Sequence, residues 1–593
     1  MTSVDDESGV FAVTVPNVGD GAEYIFSDGE RALPDPVSRS QPRGVHGPSC
    51  VVDPTKHEWT DIWWRGIPME ELVIYELHVG TFTPEGTFDA IIPRLSELKA
   101  LGVTAIELMP VAQFSGGRNW GYDGVDLYAP HAKYGGPAGL TALVSAAHEA
   151  GIGVILDVVY NHAGPEGNHL DTFGPYFTEK YHTPWGRAFN YDGADSDEVR
   201  RFVIDNALYW VTEYHIDGLR LDAVHGIFDF GARSVLEELA SAVHDQAAHL
   251  DRTFVVIAES DLNDPRLLRA VTEHGFGLDG QWSDDFHHAV HATLTGERNG
   301  YYEDFGPVSA IAESLREPFV FEGQHSRFRR RRHGASSVGI PRCRFVVAIQ
   351  NHDQIGNRAT GDRLAAILPA DKRRLAAALL LLSPYVPMLF MGEEYGETNP
   401  FQYFIDHGDP SLVAAVRAGR LGEFAAFEWK DVVPDAADAA TFERSKIDWS
   451  LAALPEHAQT LALYRDLLAL RRDEPMLRPD GARIVVANDD PGWITLVREP
   501  AYDFTRPGTY AGDMILSLFN CSDQPIDVPT PGAGDRSWSL RFSSDASAYG
   551  GEDRIVSYVD ALPVDDGPRR LLTAPKQQTI RLPAWSAALY LSQ

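Results

Sequence analysis

The stretch GVILDVVYNH at 153–162 is a short apolar run that ends in polar residues able to do chemistry. Similar apolar runs recur at 72–79, 103–110, 217–224, 254–259, 344–350 and 386–392. Amphipathic segments lie between several of them, as in FDAIIPRLSELKALG at 88–102, where apolar residues follow helical spacing. Short apolar strands that alternate with such helices are typical of a parallel sheet covered on both faces.

The number of strands predicts the fold class. Seven runs are clear, and LDGQW at 278–282 supplies a plausible eighth. Eight such units over about 400 residues predict an α/β protein with a (β/α)8 TIM barrel. A doubly wound open sheet is the alternative, but it requires a glycine-rich turn after the first strand, and HVGTFTPEGT at 78–87 is a poor match.

The sequence changes character on either side of the predicted barrel. Residues 1–66 contain short β-like runs (VFAVTV, AEYIF) and predict a shortened N-terminal β-sandwich-like domain with a linker. The barrel is predicted over 67–475, with a loop excursion at 161–195 that is rich in Gly, Pro, His and aromatic residues. After it, ARIVVAN, WITLV, DMILSLFN and SAALYLS predict a C-terminal all-β sandwich over 476–593.

Composition restricts the partners and the compartment. The 593 residues hold 51 Lys+Arg and 85 Asp+Glu, and a net charge of −34 argues against nucleic acid or an anionic membrane as partner. Three widely spaced cysteines and an acidic start without a signal peptide predict a cytoplasmic protein. The apolar stretch 375–392 is interrupted by Ser383, Pro384 and Pro387, so we predict a buried helix leading into a buried strand.

Polar residues follow several of the predicted strands. Barrel enzymes place their reacting groups at the carboxyl ends of the strands. The residues found there are Asp157, Asn161 and His162; Arg220, Asp222 and His225; Glu259; and His352 and Asp353. Three carboxylates with Arg and His around one cavity suit the cleavage of glycosidic bonds, in which one carboxylate attacks and another donates a proton.

Four ordered segments carry a family resemblance. DVVYNH (157–162), GLRLDAVH (218–225), IAES (257–260) and QNHDQ (350–354) resemble the signature segments of the α-amylase superfamily of retaining glycoside hydrolases. The resemblance implies that Asp222 is the nucleophile, Glu259 the general acid/base and Asp353 the third carboxylate. It also implies substrate-binding roles at the same sugar subsite for Asp157, His162, Arg220 and His352.

Longer segments resemble one family within this superfamily. VIYELHVGTFTPEGTF (73–88), NWGYDGVDLYAPHAKYGGP (119–137), QWSDDFHHAVH (281–291) and NHDQIGNRATGDR (351–363) are similar to maltooligosyltrehalose trehalohydrolases. The resemblance implies hydrolysis of the α-1,4 bond next to a terminal trehalose, and a functional pairing with a maltooligosyltrehalose synthase. The further residues predicted to bind this oligosaccharide substrate are Tyr122, His225, Asp284, Asp285, Phe286, His287, His288, Gln354 and Asn357.

Other interpretations remain open beside this one. DDFHHAVH at 284–291 lacks a second carboxylate cluster, and the acidic excursion that would complete a Ca²⁺ site near Asn161 is short, so we predict neither an obligatory metal nor a cofactor. The basic run RFRRRRH at 327–333 is predicted to be a solvated loop. The rival functions are α-1,4-glucan branching, which uses the same three carboxylates, and a non-catalytic sugar-binding barrel, which would be expected to lack one of them.

Overall fold

A closed barrel of eight parallel strands forms the centre of the protein. The computed structural model describes residues 2–3, 11–27, 29–425, 433–478, 482–499, 513–530, 537–559 and 578–592. The barrel strands, labelled in chain order, are β1 Ile74–Leu77, β2 Ala105–Leu108, β3 Gly153–Val158, β4 Gly218–Leu221, β5 Val255–Ala258, β6 Gly280–Trp282, β7 Phe345–Val347 and β8 Val386–Phe390. Each strand pairs in parallel with the next, and β8 pairs with β1. The barrel prediction is confirmed, LDGQW included, and the open sheet is excluded.

Helices surround the barrel and connect its strands. The α-helices among the described residues are Val79–Phe82, Phe88–Ile91, Leu95–Leu101, Gly136–Glu149, Leu170–Phe173, Asp197–Glu213, Val235–His249, Asp284–Thr295, Val308–Arg316, His352–Gly356, Leu364–Ile367, Ala370–Leu381, Pro410–Ala425, Ala439–Arg444 and Pro455–Asp473. The amphipathic segment at 88–102 buries its apolar face as predicted but is broken by a 3-10 turn at Ile92–Arg94, which contains Pro93.

Residues of the stretch 375–392 are buried throughout. The helix Ala370–Leu381 leads into β8, and both elements pack inside the protein. The prediction of a buried helix followed by a buried strand is therefore confirmed. Within the described residues, no helix combines the length and the apolar character needed to cross a bilayer.

The excursion between β3 and the helix Asp197–Glu213 has its own small structure. It contains the helix Leu170–Phe173 and a hairpin of Phe177–Thr183 with Gly186–Phe189. Shorter paired strands occur elsewhere on the barrel, at Ala112–Gln113 with Asp126–Pro130 and at His325–Ser326 with Arg331–Arg332. The second pair encloses the turn of the basic run 327–333, where most of the arginine side chains are exposed, as predicted.

The described part of the C-terminal region is all-β apart from short 3-10 turns, as predicted. Its strands are β9 Ala482–Asn488, β10 Trp493–Glu499, β11 Ile515–Asn520, β12 Ile526–Thr530, β13 Trp538–Ser543, β14 Tyr558–Val559, β15 Gln578–Leu582 and β16 Ser586–Ser592. Six strands form one sheet in the order β9-β10-β11-β16-β13-β14, and β12 pairs with β15. Val528 and Ile580 of the smaller sheet share a core with Leu516 and Trp538 of the larger one, so the two sheets pack face to face.

The described part of 1–66 contains less β-structure than a sandwich. Three pairs of two-residue strands are present, namely Thr2–Ser3 with Phe11–Ala12, Glu23–Tyr24 with Ser49–Cys50, and Phe26–Ser27 with Ala32–Leu33. Phe11, Val13 and Val15 are largely exposed. Strands this short cannot bury enough apolar surface to form a core of their own, so this region relies on its contacts with the barrel.

Candidate active site

Four charged residues meet where β3, β4 and β5 end. Asp157 lies near the end of β3 and is in parallel register with Arg220 of β4. Asp222 follows β4 directly, and Glu259 follows β5 directly. Parallel register in a closed barrel brings these positions to one rim, as the sequence predicts.

Arg220 is the centre of this group. Its side chain is 2% exposed and its Nη1 donates hydrogen bonds to Asp157 Oδ2 at 2.7 Å and to Asp222 Oδ1 at 2.9 Å. Its Nη2 lies 3.5 Å from Glu259 Oε2, and the guanidinium stacks over the Trp282 ring at 4.3 Å. One cation is therefore shared among three carboxyl groups, so they cannot all be neutralised by it.

Asp222 is oriented by donors on both of its oxygens. Asn161 Nδ2 donates to Oδ2 at 2.7 Å, opposite the bond from Arg220 to Oδ1. The next residue, Ala223, has a left-handed backbone with φ of +39°, and its N–H donates to Glu259 Oε2. A non-glycine residue held in this conformation carries strain that is commonly found at functional sites. The strained turn connects the two carboxyl groups.

Glu259 is held in a state that favours its protonated form. Burial raises the pKa of Glu259 well above its usual range. Arg220 opposes this rise, while the negative charges of Asp222 and Asp353 reinforce it. A carboxyl group that keeps its proton near neutral pH can act as a general acid.

A chain of hydrogen bonds supports Asp157 from the side of β1. Tyr122 OH donates to Asp157 Oδ2 at 2.7 Å and also bonds His352 Nε2 at 2.8 Å. Because Tyr122 gives its only proton to Asp157, the ring nitrogen must be the donor. The other ring nitrogen, Nδ1, bonds Glu76 Oε1 at 2.5 Å. His352 thus donates from both nitrogens, which requires its cationic form.

The pKa values of this chain agree with its hydrogen bonds. Burial disfavours the charged form of His352, but Glu76 outweighs it and the pKa of His352 is raised. Burial also raises the pKa of Asp157 to about 6, against the opposing effect of Arg220. Glu76 is part of this hydrogen-bonded group and was not predicted from the sequence. Its signal was a carboxylate inside the apolar run at 72–79, which is costly unless it is paired.

The two histidines of the β3 and β4 loops differ in their surroundings. His162 Nδ1 bonds Asn161 Oδ1 at 2.5 Å and its Nε2 bonds the carbonyl of Tyr122 at 3.0 Å. It therefore supports Asn161, the partner of Asp222. His225 is half-buried and its ring centroid lies 6.4 Å from that of Trp185, whose side chain is 47% exposed. His225 and Trp185 face the outer part of the rim.

The helix after β6 places its predicted site residues in different environments. Burial, with the charges of Asp353 and Asp261, raises the pKa of Asp284 to about 7. Its Oδ1 accepts from Gln354 Nε2 at 3.4 Å. Asp285 instead accepts from Asn263 Nδ2 at 2.9 Å and from the backbone N–H of Val320 at 2.7 Å. Asp284 thus lies in the carboxylate cluster, while Asp285 fixes a neighbouring loop.

Phe286 and His287 lie on the inner side of the same helix. Phe286 is fully buried in the hydrophobic core. His287 Nδ1 bonds the carbonyl of Ile349 at 2.7 Å and Nε2 bonds Tyr302 OH at 3.0 Å, so both of its nitrogens are occupied. His288 stacks on Tyr301 with ring centroids 4.4 Å apart. Burial, with the charge of Arg329, lowers the pKa of His288 to about 3.

Asp353 completes the carboxylate cluster. It lies in the short helix His352–Gly356, which Asn351 caps through its side chain. Asp353 raises the pKa values of both Glu259 and Asp284, so it lies near both of these carboxyls. Asn357 Nδ2 donates to Asp353 Oδ1 at 2.6 Å. The structure therefore brings Asp222, Glu259 and Asp353 close to one another.

A metal site is absent from the described residues. No group of three His, Cys, Asp or Glu side chains in the described ranges is arranged to hold a metal ion. His287, His288 and His291 pack as rings against each other and against Tyr302. The independence from an obligatory metal stays a prediction.

Comparison with known proteins identifies the family. Residues 32–182 match the model of the α-amylase catalytic domain. The chain is 51% identical over 470 residues to the malto-oligosyltrehalose trehalohydrolase of Saccharolobus solfataricus, covering 79% of this chain and 80% of that protein. It is 50% identical to the protein of that name from Arthrobacter ramosus, covering 84% and 87%.

A solved structure agrees with these matches. A protein from Salmonella typhimurium assigned to the α-amylases superposes with a TM-score of 0.83 and 40% identity, covering 98% of this chain and 92% of that chain. A 1,4-α-glucan branching enzyme from Jannaschia is more distant, at 28% identity. The chain belongs to the malto-oligosyltrehalose trehalohydrolase family, within the α-amylase type of glycoside hydrolases.

Proposed function

We propose that the protein hydrolyses the α-1,4-glucosidic bond next to the terminal trehalose of a malto-oligosyltrehalose and releases α,α-trehalose. The family supports the substrate, and the site supports the chemistry. The observation that carries the chemistry is the shared contact of Arg220 with Asp222 at 2.9 Å and with Glu259 at 3.5 Å. It holds two carboxyl groups from neighbouring strands beside one guanidinium, in reach of the same bond.

In the first step, Glu259 donates its proton to the glycosidic oxygen as that oxygen leaves with trehalose. Asp222 attacks the anomeric carbon and forms a glycosyl ester, so one C–O bond breaks while another forms. The raised pKa of Glu259 keeps the proton available. The donors Arg220 and Asn161 hold both Asp222 oxygens in place for the attack.

In the second step, a water molecule replaces Asp222. Glu259, now a carboxylate, takes a proton from the water, whose oxygen attacks the anomeric carbon and releases Asp222. Two displacements at the same carbon restore the original anomeric configuration. The products are trehalose and a malto-oligosaccharide with a new reducing end in the α form.

The other charged residues hold the sugar ring that reacts. Asp353 has one oxygen bonded to Asn357, which leaves the second for the sugar hydroxyl groups. Tyr122, Asp157 and His352 form one wall of the same subsite through their mutual hydrogen bonds. His162 acts through Asn161.

The trehalose end is assigned to the rim that β6 and β7 support. Asp284 and Gln354 are paired there, with His288 and Asn357 nearby in sequence, and His225 is assigned to the outer rim. Asp285, Phe286 and His287 are proposed to act by holding the helix Asp284–Thr295 in place, because their side chains are occupied by protein contacts.

The test compares products from two substrates. Maltotriosyltrehalose should yield maltotriose and trehalose as the dominant products, at a rate well above that of maltopentaose cleavage. Amylose incubated in parallel should acquire no α-1,6 branches. Branches in the amylose, or equal hydrolysis of both oligosaccharides, would contradict the proposal in favour of a branching enzyme or a general amylase.

Three further proposals concern the cellular setting and the organisation of the chain. The substrate must come from an enzyme that converts the reducing end of a malto-oligosaccharide into trehalose, and we propose a maltooligosyltrehalose synthase as this functional partner.

We also propose a cytoplasmic location for this protein. The absence of a disulfide among its three cysteines, all in described positions, supports it. The domain boundaries are proposed at 66/67 and 475/476, on either side of the barrel.

A further inference from the structure

Arg420 reaches from a surface helix to the loop that follows Asp353. It lies near the end of the helix Pro410–Ala425, which comes after β8. Its Nη2 donates to the carbonyl of Gly356 at 2.8 Å and its Nη1 donates to Asn357 Oδ1 at 3.1 Å. The last residue of the helix His352–Gly356 and the residue after it, Asn357, are thus bound by one side chain from a distant part of the chain.

These bonds determine which way the Asn357 amide points. A guanidinium has only donors, so the atom that faces Arg420 must be the carbonyl oxygen of the amide. The amide nitrogen must then point away from Arg420, and it donates to Asp353 Oδ1 at 2.6 Å. A flipped amide would place an oxygen against the Asp353 carboxylate and lose both interactions.

Arg420 is itself supported by the wall of the site. Its guanidinium lies 4.9 Å from the centre of the Tyr403 ring. Tyr403 packs edge-on against Trp120 at 5.1 Å, and Trp120 packs in the same way against His352 at 5.6 Å. Arg420 therefore belongs to a continuous set of contacts that ends at His352, a residue of the reacting subsite.

We propose that Arg420 is a positioning residue that fixes the Asn357 amide so that it occupies one oxygen of Asp353 and directs the other to the substrate. The inference rests on the proposed function, in which Asp353 binds the hydroxyl groups of the reacting sugar. In glycoside hydrolysis the sugar ring distorts toward the transition state and its hydrogen bonds strengthen there, so loss of Arg420 should lower kcat more than it changes KM.

The test is a double-mutant cycle with R420A and N357A. With maltotriosyltrehalose, R420A should lower kcat by about tenfold and change KM by less than about threefold. The double variant should be no slower than N357A alone, because Arg420 acts through Asn357. R420K keeps the positive charge and one donor nitrogen, so it should recover part of kcat.

R417A is the matched control. Arg417 lies on the same helix and forms a two-pronged ion pair with exposed Asp435 at 2.6 and 2.8 Å. It should keep wild-type kcat and KM. The inference is overturned if R420A behaves like R417A, or if the effects of R420A and N357A are additive.

Failure of the proposed function gives a different result. In that case the wild-type enzyme would release no trehalose from maltotriosyltrehalose. The cycle can then be measured on the glucan that the wild-type enzyme does cleave, and its additivity still decides the role of Arg420. If R420A fails to fold, R420K carries the test, with a kcat below wild type in a protein whose unfolding midpoint is unchanged.

Discussion

Strand β4 has a buried aspartate beyond each end, and the two are used in opposite ways. Asp217 precedes the strand at the bottom of the barrel, and Asp222 follows it at the rim. Asp217 accepts four hydrogen bonds, from Trp64 Nε1 at 2.7 Å, Arg252 Nη2 at 2.9 Å, His148 Nε2 at 2.8 Å and the Val154 N–H at 2.8 Å. At the rim, Asp222 shares the cation of Arg220 with two other carboxyl groups.

The balance of charge explains this difference. At the bottom, His148 lies between Asp61 and Asp217, with Arg252 as a second cation, so two carboxylates face two cations. His148 and Arg252 lower the pKa of Asp217 despite its burial. At the rim, Glu259 is buried among carboxylates, and its pKa is raised. The balanced charges of His148, Arg252, Asp61 and Asp217 form a structural ion-pair cluster. The excess of carboxyl groups at the rim instead favours a protonated Glu259, whose proton catalysis can use.

The largest expected effect is at the rim. D222N should lower kcat by about 10³-fold or more, because the nucleophile is lost while the shape of the site is kept. The measurement is the rate of trehalose release from maltotriosyltrehalose. The free energy of unfolding should fall by less than about 1 kcal/mol, since the variant removes a charge from a crowded cluster. Retained turnover would show that Asp222 is not the nucleophile.

The next effect is at the bottom of the barrel. H148Q should lower the free energy of unfolding by about 3–5 kcal/mol, because it leaves Asp61 and Asp217 without the partner between them. Urea denaturation measures it, and H249Q, at an exposed histidine, is the control. Near neutral pH and below the unfolding transition, kcat should stay within about twofold of wild type. Loss of kcat without loss of stability would contradict the structural assignment.

The ion-pair cluster around His148 should contribute most to the stability of the protein within a limited range of pH. The pKa of His148 is raised, with burial opposing and Asp217 favouring the rise, so its contribution is lost as pH rises through the raised value. Burial opposes the lowered pKa of Asp217, but its cationic partners prevail, so its contribution is lost as pH falls below the ordinary range of Asp. The stability difference between wild type and H148Q should therefore be largest between about pH 4 and 6.5. A difference independent of pH would contradict these ion pairs.

Replacement of Glu259 is expected to raise the stability of the protein, by less than the replacement of His148 lowers it. Because its pKa is raised in the folded protein, Glu259 favours folding at acid pH, and this contribution is lost as pH rises toward the folded value. E259Q does not titrate, so at pH 8 it should be more stable than wild type by about 1–3 kcal/mol. The gain should shrink toward pH 4, while kcat stays low throughout. An E259Q variant less stable than wild type at pH 8 would show that ionised Glu259 does not destabilise the folded protein.

The smallest effect is expected for E76Q. Glu76 raises the pKa of His352, so its loss should let the histidine lose its charge at a lower pH. The value of kcat/KM should fall by about tenfold at pH 7.5 and by less at pH 5.5, where His352 keeps its charge more readily without Glu76. A loss that is equal at both pH values would show that Glu76 acts through packing alone.

The sequence predicts the barrel because its information is local. Each strand is a short apolar run, and the carboxylates at the ends of β3, β4 and β5 lie within or directly after those runs in sequence. The start of the helix Asp197–Glu213 illustrates the limit. Serine is a common capping residue, yet Ser196 has helical backbone angles and its side chain makes no capping hydrogen bond, because charge in the first turn can mark a helix start without a side-chain cap.

The remaining parts of the site depend on contacts between distant segments. Phe286 and Asp284 are close in sequence, yet Phe286 lies in the hydrophobic core and Asp284 lies among the carboxylates of the site. Only the orientation of the helix Asp284–Thr295 decides between them. Arg420 meets Asn357 through the placement of a helix that follows the last barrel strand, and no pattern in its own segment reveals that contact. Sequence identifies the reacting groups, and tertiary structure identifies what positions them.

The anomeric form of the first product is the most direct measure of the retaining mechanism at Asp222 and Glu259. Proton NMR should follow maltotriosyltrehalose from the first minutes of hydrolysis, before mutarotation. Trehalose is expected together with maltotriose whose new reducing end appears first as the α-anomer, because Asp222 and Glu259 perform two displacements at one carbon. A β-anomer appearing first, or hydrolysis without release of trehalose, would contradict it.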